Sequence, residues 1–306
     1  MSPEQLLREA QQKGISCLAL TDINNTSGIL DFFRLAPKYN IKPIAGIDFR
    51  NGVEQKFIGI AKNADGFCEI NTFLSNHLHN EEPISERAPF FQNAFVIYPF
   101  SKNHFSLNEN EYIGIKYADL FRLSFSEWKN HLHKLVVLAP VTFRNKIDFN
   151  SHRLLRAIDN NILLSKLSAS EQAQPNEIML SEKELQHIYR DYPQIIYNTK
   201  KLLEQCEIDF EFRKNKNLKY FTGNEKDDYD LLLQLCNNNQ SYRYPQQSEK
   251  ISERFKKEIG VITSQGFTSY FLINWDIVRY AQSQNYFYVG RGSGANSMVA
   301  YLLKIS

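Results

Sequence analysis

From Ile15 to Phe143 short apolar runs alternate with amphipathic stretches, and that alternation restricts this part of the chain to an α/β fold. "ISCLALTD" reads as a buried strand whose last residues are polar, and "TSGILDFFRLAPKYN" follows at helical spacing, with Ile29, Phe32, Phe33 and Ala36 on one face. "IKPIAGIDFR" and "KFIGIAKN" are the next strands, and "DGFCEINTFLSNHLH" is helical. "NAFVIYPF", "YIGIKY" and "KLVVLAPVTF" continue the series, with helix over "ADLFRLSFSEWKNH". The pattern predicts a parallel layout, either a barrel or a doubly wound sheet. In both, chemistry sits at the carboxyl ends of the strands, here Asp22, Asp48 and Thr142. Ahead of the first strand, Ser2, Pro3 and Gly14 mark the cap, first turn and stop of a helix.

After about Ser151 the pattern becomes helical, with a polar break near 215–228 and two further helices interrupted at Gly266. The expected division is an α/β domain over 1–214, a linker over 215–228 and a separate segment over 229–306. A formal charge of +2 over 306 residues excludes a chain that is basic throughout. The richest basic run, Arg213, Lys214, Lys216 and Lys219, fits a solvated linker and a phosphate contact equally well. Cys17, Cys68, Cys206 and Cys236 form no CxxC pair, so neither a zinc ribbon nor a disulfide framework is indicated, and reduced cysteines in a cytoplasmic protein are expected. No run approaches the ~20 apolar residues of a membrane span.

The densest chemical signal is "VGRGSGANS", residues 289–297. Tyr288 and Val289 read as the end of a strand. Gly290, Gly292 and Gly294 let backbone approach a ligand closely, Ser293 offers a hydroxyl, and Arg291 offers a charged clamp. Ala295, Met298, Val299, Leu302 and Leu303 follow at helical spacing, so the amides of a helix start face the loop as an anion site. A tight turn that binds nothing is the alternative. The loop is neither a Walker A motif nor a complete GxGxxG fingerprint. His77 and His79, like His131 and His133, lie two apart on different helix faces, which does not suit a metal pair. Tyr270, Phe271, Trp275 and Tyr280 suit core packing better than base stacking, and Arg279 is expected to be exposed.

The stretch from Gly266 to Ser306 resembles the opening of the palm in bacterial DNA polymerase III α subunits. Gly266, Tyr270 to Ile273, Gly290 to Ala295 and Ser297 carry that likeness. "ALTDINNTSGILDFFRLAPKYNIKPIAGIDFR" resembles the PHP (polymerase and histidinol phosphatase) domain of the same family. The resemblance implies a PHP-type (β/α) barrel-like domain lacking its first strand, then helices and the opening α+β segment of a palm, as the front portion of a longer polymerase. It implies that Gly290, Arg291, Gly292, Ser293, Gly294 and Ser297 hold the triphosphate of an incoming nucleotide. It further implies transfer of that nucleotide to a primer 3′-hydroxyl with two Mg²⁺ ions, and primer–template DNA, a proofreading exonuclease, a clamp and a clamp loader as partners. The family's catalytic aspartates follow the glycine loop, and no aspartate or glutamate lies between Gly290 and Ser306. No catalytic residue and no bound metal are therefore expected within these residues, and the chain alone is expected not to polymerise. The PHP metal site reads as degenerate: Ile23 stands where a histidine is usual, Asp48 where a glutamate is, and Pro140, Val141 and Thr142 supply no ligand. Only Asp22 and Asp48 remain. A docking module for replication partners and, less favoured, a PHP phosphoesterase are the rival functions.

Overall fold

A computed structural model describes residues 1–100, 106–212, 214, 217, 219–246 and 248–306. Two compact units divide the chain, Met1–Phe212 and Arg213–Ser306. Of the basic run, Arg213 and Lys216 lie outside the described residues; Lys214 is exposed, and Lys219 sets its ammonium 5.2 Å from the centre of the Tyr220 ring.

The first unit carries six strands in sequential order: β1 (Cys17–Ile23), β2 (Lys42–Asn51), β3 (Glu54–Ala61), β4 (Ala94–Pro99), β5 (Glu111–Ile115) and β6 (Leu135–Val137). β1 and β2 are parallel, as are β4, β5 and β6, but β3 runs antiparallel to both its neighbours. The all-parallel expectation fails there for a covalent reason. Only Gly52 and Val53 separate β2 from β3, too few for a crossover, and Gly52 (φ +58°) closes a hairpin instead.

Both faces of the sheet are covered, which explains why the strands read as near-continuous apolar runs. One face buries Ile47, Phe49, Phe57, Val96 and Ile113; the other buries Ile44, Ile58, Ile60, Phe95 and Val136. Helix α1 (Pro3–Gln12) begins with a capping box between Ser2 and Gln5, and Gly14 (φ +70°) ends that turn. α2 (Ile29–Leu35) buries Ile29, Phe32 and Phe33, and the turn after it buries Ala36, the face read from the spacing. α3 (Ala64–Asn80) packs on β3, with Asn63 accepting the Gly66 amide as its cap. α4 (Leu120–Leu123) is a single turn, much shorter than the helical spacing suggested. α5 (Lys146–Asp159), α6 (Glu182–Ile188) and α7 (Pro193–Glu204) complete the unit. α7 closes the sheet edge: Thr199 Oγ1 accepts the Val137 amide at 2.8 Å, and Asn198 donates to the Leu132 and Leu135 carbonyls. These side chains satisfy backbone groups that would otherwise invite another strand.

The second unit is helical: α8 (Glu225–Arg243), α9 (Glu249–Ser264), α10 (Thr268–Ser283) and α11 (Met298–Leu302). Its core joins Leu232, Cys236, Ile259, Ile262, Leu272, Met298, Val299 and Leu302. α8 starts inside the stretch read as linker, because Asn224 caps it and accepts the Asp227 amide. Fully buried Asp228 then accepts hydrogen bonds from Phe221 N–H (2.8 Å), Thr222 N–H (2.6 Å) and the Thr222 hydroxyl (2.6 Å), with Ser269 Oγ at 2.8 Å. Tyr288 and Val289 stand in no strand: the described residues of this unit contain no second strand to pair with.

All four cysteines are free thiols. Burial pushes the Cys206 and Cys236 thiols up to about 12, which keeps them protonated and unreactive. Among the described residues no helix is long and apolar enough to cross a membrane.

Candidate functional site

Gly266 (φ +71°) separates α9 from α10 and turns the chain, and α10 then delivers it to the glycine loop. Gly290 through Gly294 are all exposed. Gly292 adopts φ +80°, a conformation that strains any residue with a Cβ. Gly294 has an ordinary φ, and a Cβ there would meet nothing within 4 Å, so its neighbours in the fold do not demand a glycine. Close approach by a molecule from outside would. Among the described residues the amides of Gly290, Arg291, Gly292, Ser293 and Gly294 make no hydrogen bond, and the Arg291 side chain has no partner. Two later amides, those of Ala295 and Ser297, close a 3-10 turn over Ser293–Asn296 onto the Gly292 and Gly294 carbonyls. The loop thus presents consecutive free donors beside a free guanidinium, a combination suited to a polyanion.

The start of α11 differs from its expected role. Ser297 caps the helix, its Oγ accepting the Ala300 amide at 3.1 Å while donating to Glu258 Oε2 at 3.0 Å. Glu258, from α9, also accepts the Val299 amide at 3.1 Å. Arg254 completes the arrangement, donating to Glu258 Oε1 at 3.3 Å and to the Asn296 carbonyl at 3.0 Å. Burial acts to raise the Glu258 carboxyl, but the Met298 and Val299 amides, the Ser297 hydroxyl and Arg254 outweigh it and hold the group below the usual carboxylate range. The amides expected to meet a phosphate are therefore already occupied by a protein carboxylate, and Ser297 serves as a cap. Met298, Val299 and Leu302 lie in α11 as their spacing indicated and, with Leu303 at its end, are buried, whereas Ala295 falls in the preceding turn. An open groove of about 700 Å³ adjoins this junction, lined by Lys250, Arg254, Lys257, Glu258, Phe271 and Ser297 among others.

Phe271 and Trp275 pack on the core of the unit, but Tyr270 and Tyr280 are exposed, because α10 has solvent on the face they share. Arg279 is exposed and already held by Asp276 at 2.6 Å.

In the first unit, Asp22 pairs in register with Ile47, and Asp48 pairs with Ile23. Neighbouring register positions point to opposite faces of a sheet, so the two carboxylates do not converge on one ion. Asp22 is exposed beside Gly28, and buried Asp48 is neutralised by Arg50 (2.6 Å) with Gln55 donating at 2.9 Å. Thr142 Oγ1 donates to Glu177. Among the described residues no group of three or more His, Cys, Asp or Glu could hold a metal. His77 is on α3 with Nδ1 2.9 Å from the Phe73 carbonyl oxygen; His131 joins two 3-10 turns and His133 lies in the second, rather than in the helix their stretch suggested.

Comparison with known proteins fits this division. The PHP domain model matches residues 1–205, and the model of the bacterial DNA polymerase III alpha NTPase domain matches residues 230–306. DNA polymerase III subunit alpha of Halalkalibacterium halodurans is 26% identical over 98% of the chain and 30% of its own length. The same subunit from Escherichia coli K12 is 24% identical over 98% of the chain and 30% of its own length, and an error-prone DNA polymerase of Symbiobacterium thermophilum 25% identical over 99% and 32%. The chain spans about 30% of the length of these relatives. The PHP match from residue 1 to residue 205 places the chain in the PHP domain family, and residues 230–306 match the model of the bacterial DNA polymerase III alpha NTPase domain.

Proposed function

We propose that this chain supplies the nucleotide-triphosphate end of a DNA-polymerising α subunit. The observation that carries the reading is the run of unpaired amides in the exposed residues Gly290 to Gly294 beside an unpartnered Arg291. A triphosphate laid along the loop would take those donors, with Arg291 pairing to its oxygens in a bidentate contact. Gly290, Gly292, Ser293 and Gly294 are the remaining ligand contacts, and Ser297 acts one step back as the helix cap.

Mg²⁺ does not fit these residues as a resident ion. No carboxylate lies between Gly290 and Ser306, and Glu258 is committed to Ser297 and Val299. Magnesium enters with the nucleotide as part of the substrate. Residues 1–306 bind the nucleotide without transferring it, and transfer to a primer on template DNA needs carboxylates that this stretch does not hold.

The sheet unit acts as a scaffold in this reading. A docking role for a replication partner such as a proofreading exonuclease is favoured by α5, which leaves Ile147, Leu154, Leu155 and Ile158 exposed. The opposed carboxylates Asp22 and Asp48 argue against phosphoesterase chemistry.

Calorimetric titration with Mg·dATP tests the proposal. The unsubstituted chain should bind, and Arg291→Ala should weaken binding by about tenfold or more, the loss of one charge-assisted pair. Melting should not change, because Arg291 is exposed and touches nothing it would leave unpaired. A chain that docks partners without binding nucleotide would give no heat with either protein. Primer extension by the isolated chain should be absent; measurable turnover would contradict the division of labour.

A further inference from the structure

We propose that Glu258 and Arg254 of α9 are positioning residues for the glycine loop, a role that rests on the nucleotide reading above. The two side chains grip the loop's exit at three points. Arg254 Nη2 holds the Asn296 carbonyl, and Glu258 Oε2 takes both the Ser297 hydroxyl and the Val299 amide. They also hold each other one helical turn apart, at i and i+4. The loop makes few other tethers. Gly290 lies against Ile305 and Ser306, while the Gly292 and Gly294 carbonyls accept only the Ala295 and Ser297 amides from within the same turn.

A segment with exposed, unpaired amides is entropically free unless something fixes its ends, and freezing it on binding costs affinity. α9 supplies the fixed end, because Ile259 and Ile262 bury it in the core of the unit. The carboxylate also stands at the start of α11 as that helix's own anion. A phosphate is thereby directed to the Gly290–Gly294 amides instead of the helix end. Sequence alone offers little hint of this link, since Glu258 lies 39 residues from Ser297.

Three substitutions test it: Glu258→Ala, Glu258→Gln and Arg254→Ala. Glutamine keeps an acceptor for the Ser297 hydroxyl and the Val299 amide, so it separates positioning from charge. Amide exchange at Val299 and Ala300 should accelerate about tenfold or more in Glu258→Ala and stay near the unsubstituted rate in Glu258→Gln. The dissociation constant for Mg·dATP should rise about tenfold in Glu258→Ala and Arg254→Ala, with Glu258→Gln restoring most of the affinity. Unchanged exchange at Val299 in Glu258→Ala, or unchanged dATP affinity there, would overturn the proposal. So would tenfold tighter binding by Glu258→Gln, which would make the carboxylate a repulsive neighbour. If the unsubstituted chain binds no dATP, the nucleotide reading falls, and the exchange rates still decide whether Glu258 fixes the junction. Should Glu258→Ala fail to fold, Arg254→Ala and Glu258→Gln carry the same comparison.

Discussion

Replacing Gly66 with alanine is expected to destabilise the sheet unit by about 3 kcal/mol or more, the upper range of overpacking effects. A Cβ on Gly66 would lie 1.8 Å from the Asn93 carbonyl oxygen and 2.6 Å from its carbon. Both are backbone atoms, and that carbonyl also accepts the Lys62 amide. Glu69 fixes Asn93 from the other side, accepting its amide and side-chain N–H groups. The first turn of α3 therefore cannot move away without breaking the entry to β4. The expectation runs against propensity, since alanine in a helix is favoured over glycine by roughly 1 kcal/mol. Gly260→Ala is the control: this glycine is exposed in α9 and a Cβ there meets nothing within 4 Å, so a gain of about 0.5–1 kcal/mol is expected. Urea unfolding of the two variants, followed by circular dichroism, should show opposite shifts in two different units.

The second large effect concerns Asp228. Its substitution by alanine removes the acceptor of three hydrogen bonds and leaves the Ser269 hydroxyl without its carboxylate neighbour. Some of the freed donors reach water, because Thr222 is exposed, so the expected loss for the helical unit is about 2–4 kcal/mol. Asparagine keeps the shape but not the charge and should recover about half of it. The same group sets a pH dependence. Burial acts to raise the Asp228 carboxyl, yet the Thr222 hydroxyl, the Phe221 and Thr222 amides and Ser269 together hold it below the ordinary aspartate value. A lowered pKa in the folded state means the stabilisation is complete above the unfolded value of about 3.9 and disappears as the pH falls through the folded value. Glu258 adds to the same trend. Acid unfolding of this unit should therefore become shallower in Asp228→Asn, measured between pH 5 and 2 on the ordinary carboxylate scale.

Local signals in the sequence translated well into structure. Ser2, Pro3 and Gly14 delimit α1, and the spacing of Ile29, Phe32, Phe33 and Ala36 named a face that is fully buried. The hairpin at Gly52 and Val53 was also encoded locally, but strand–helix alternation suggested parallel pairing throughout. What escaped depends on register and distance. The opposed directions of Asp22 and Asp48 follow from a one-residue offset between β1 and β2, which neither strand reveals alone. The expected strand at Tyr288 and Val289 has the right composition but no partner among the described residues of its unit. Glu258 and Arg254 are ordinary charged residues on an amphipathic helix until the fold brings Asn296 and Ser297 beside them.

The central claim, that the exposed glycine loop receives a nucleotide's phosphates, is tested most directly by amide hydrogen exchange over residues 290–296 with and without saturating Mg·dATP. Protection should appear at Arg291 through Gly294, and in Arg291→Ala it should require about tenfold or more nucleotide to reach the same level. Saturable binding with those amides exchanging as fast as in the free protein would place the phosphates elsewhere and contradict it.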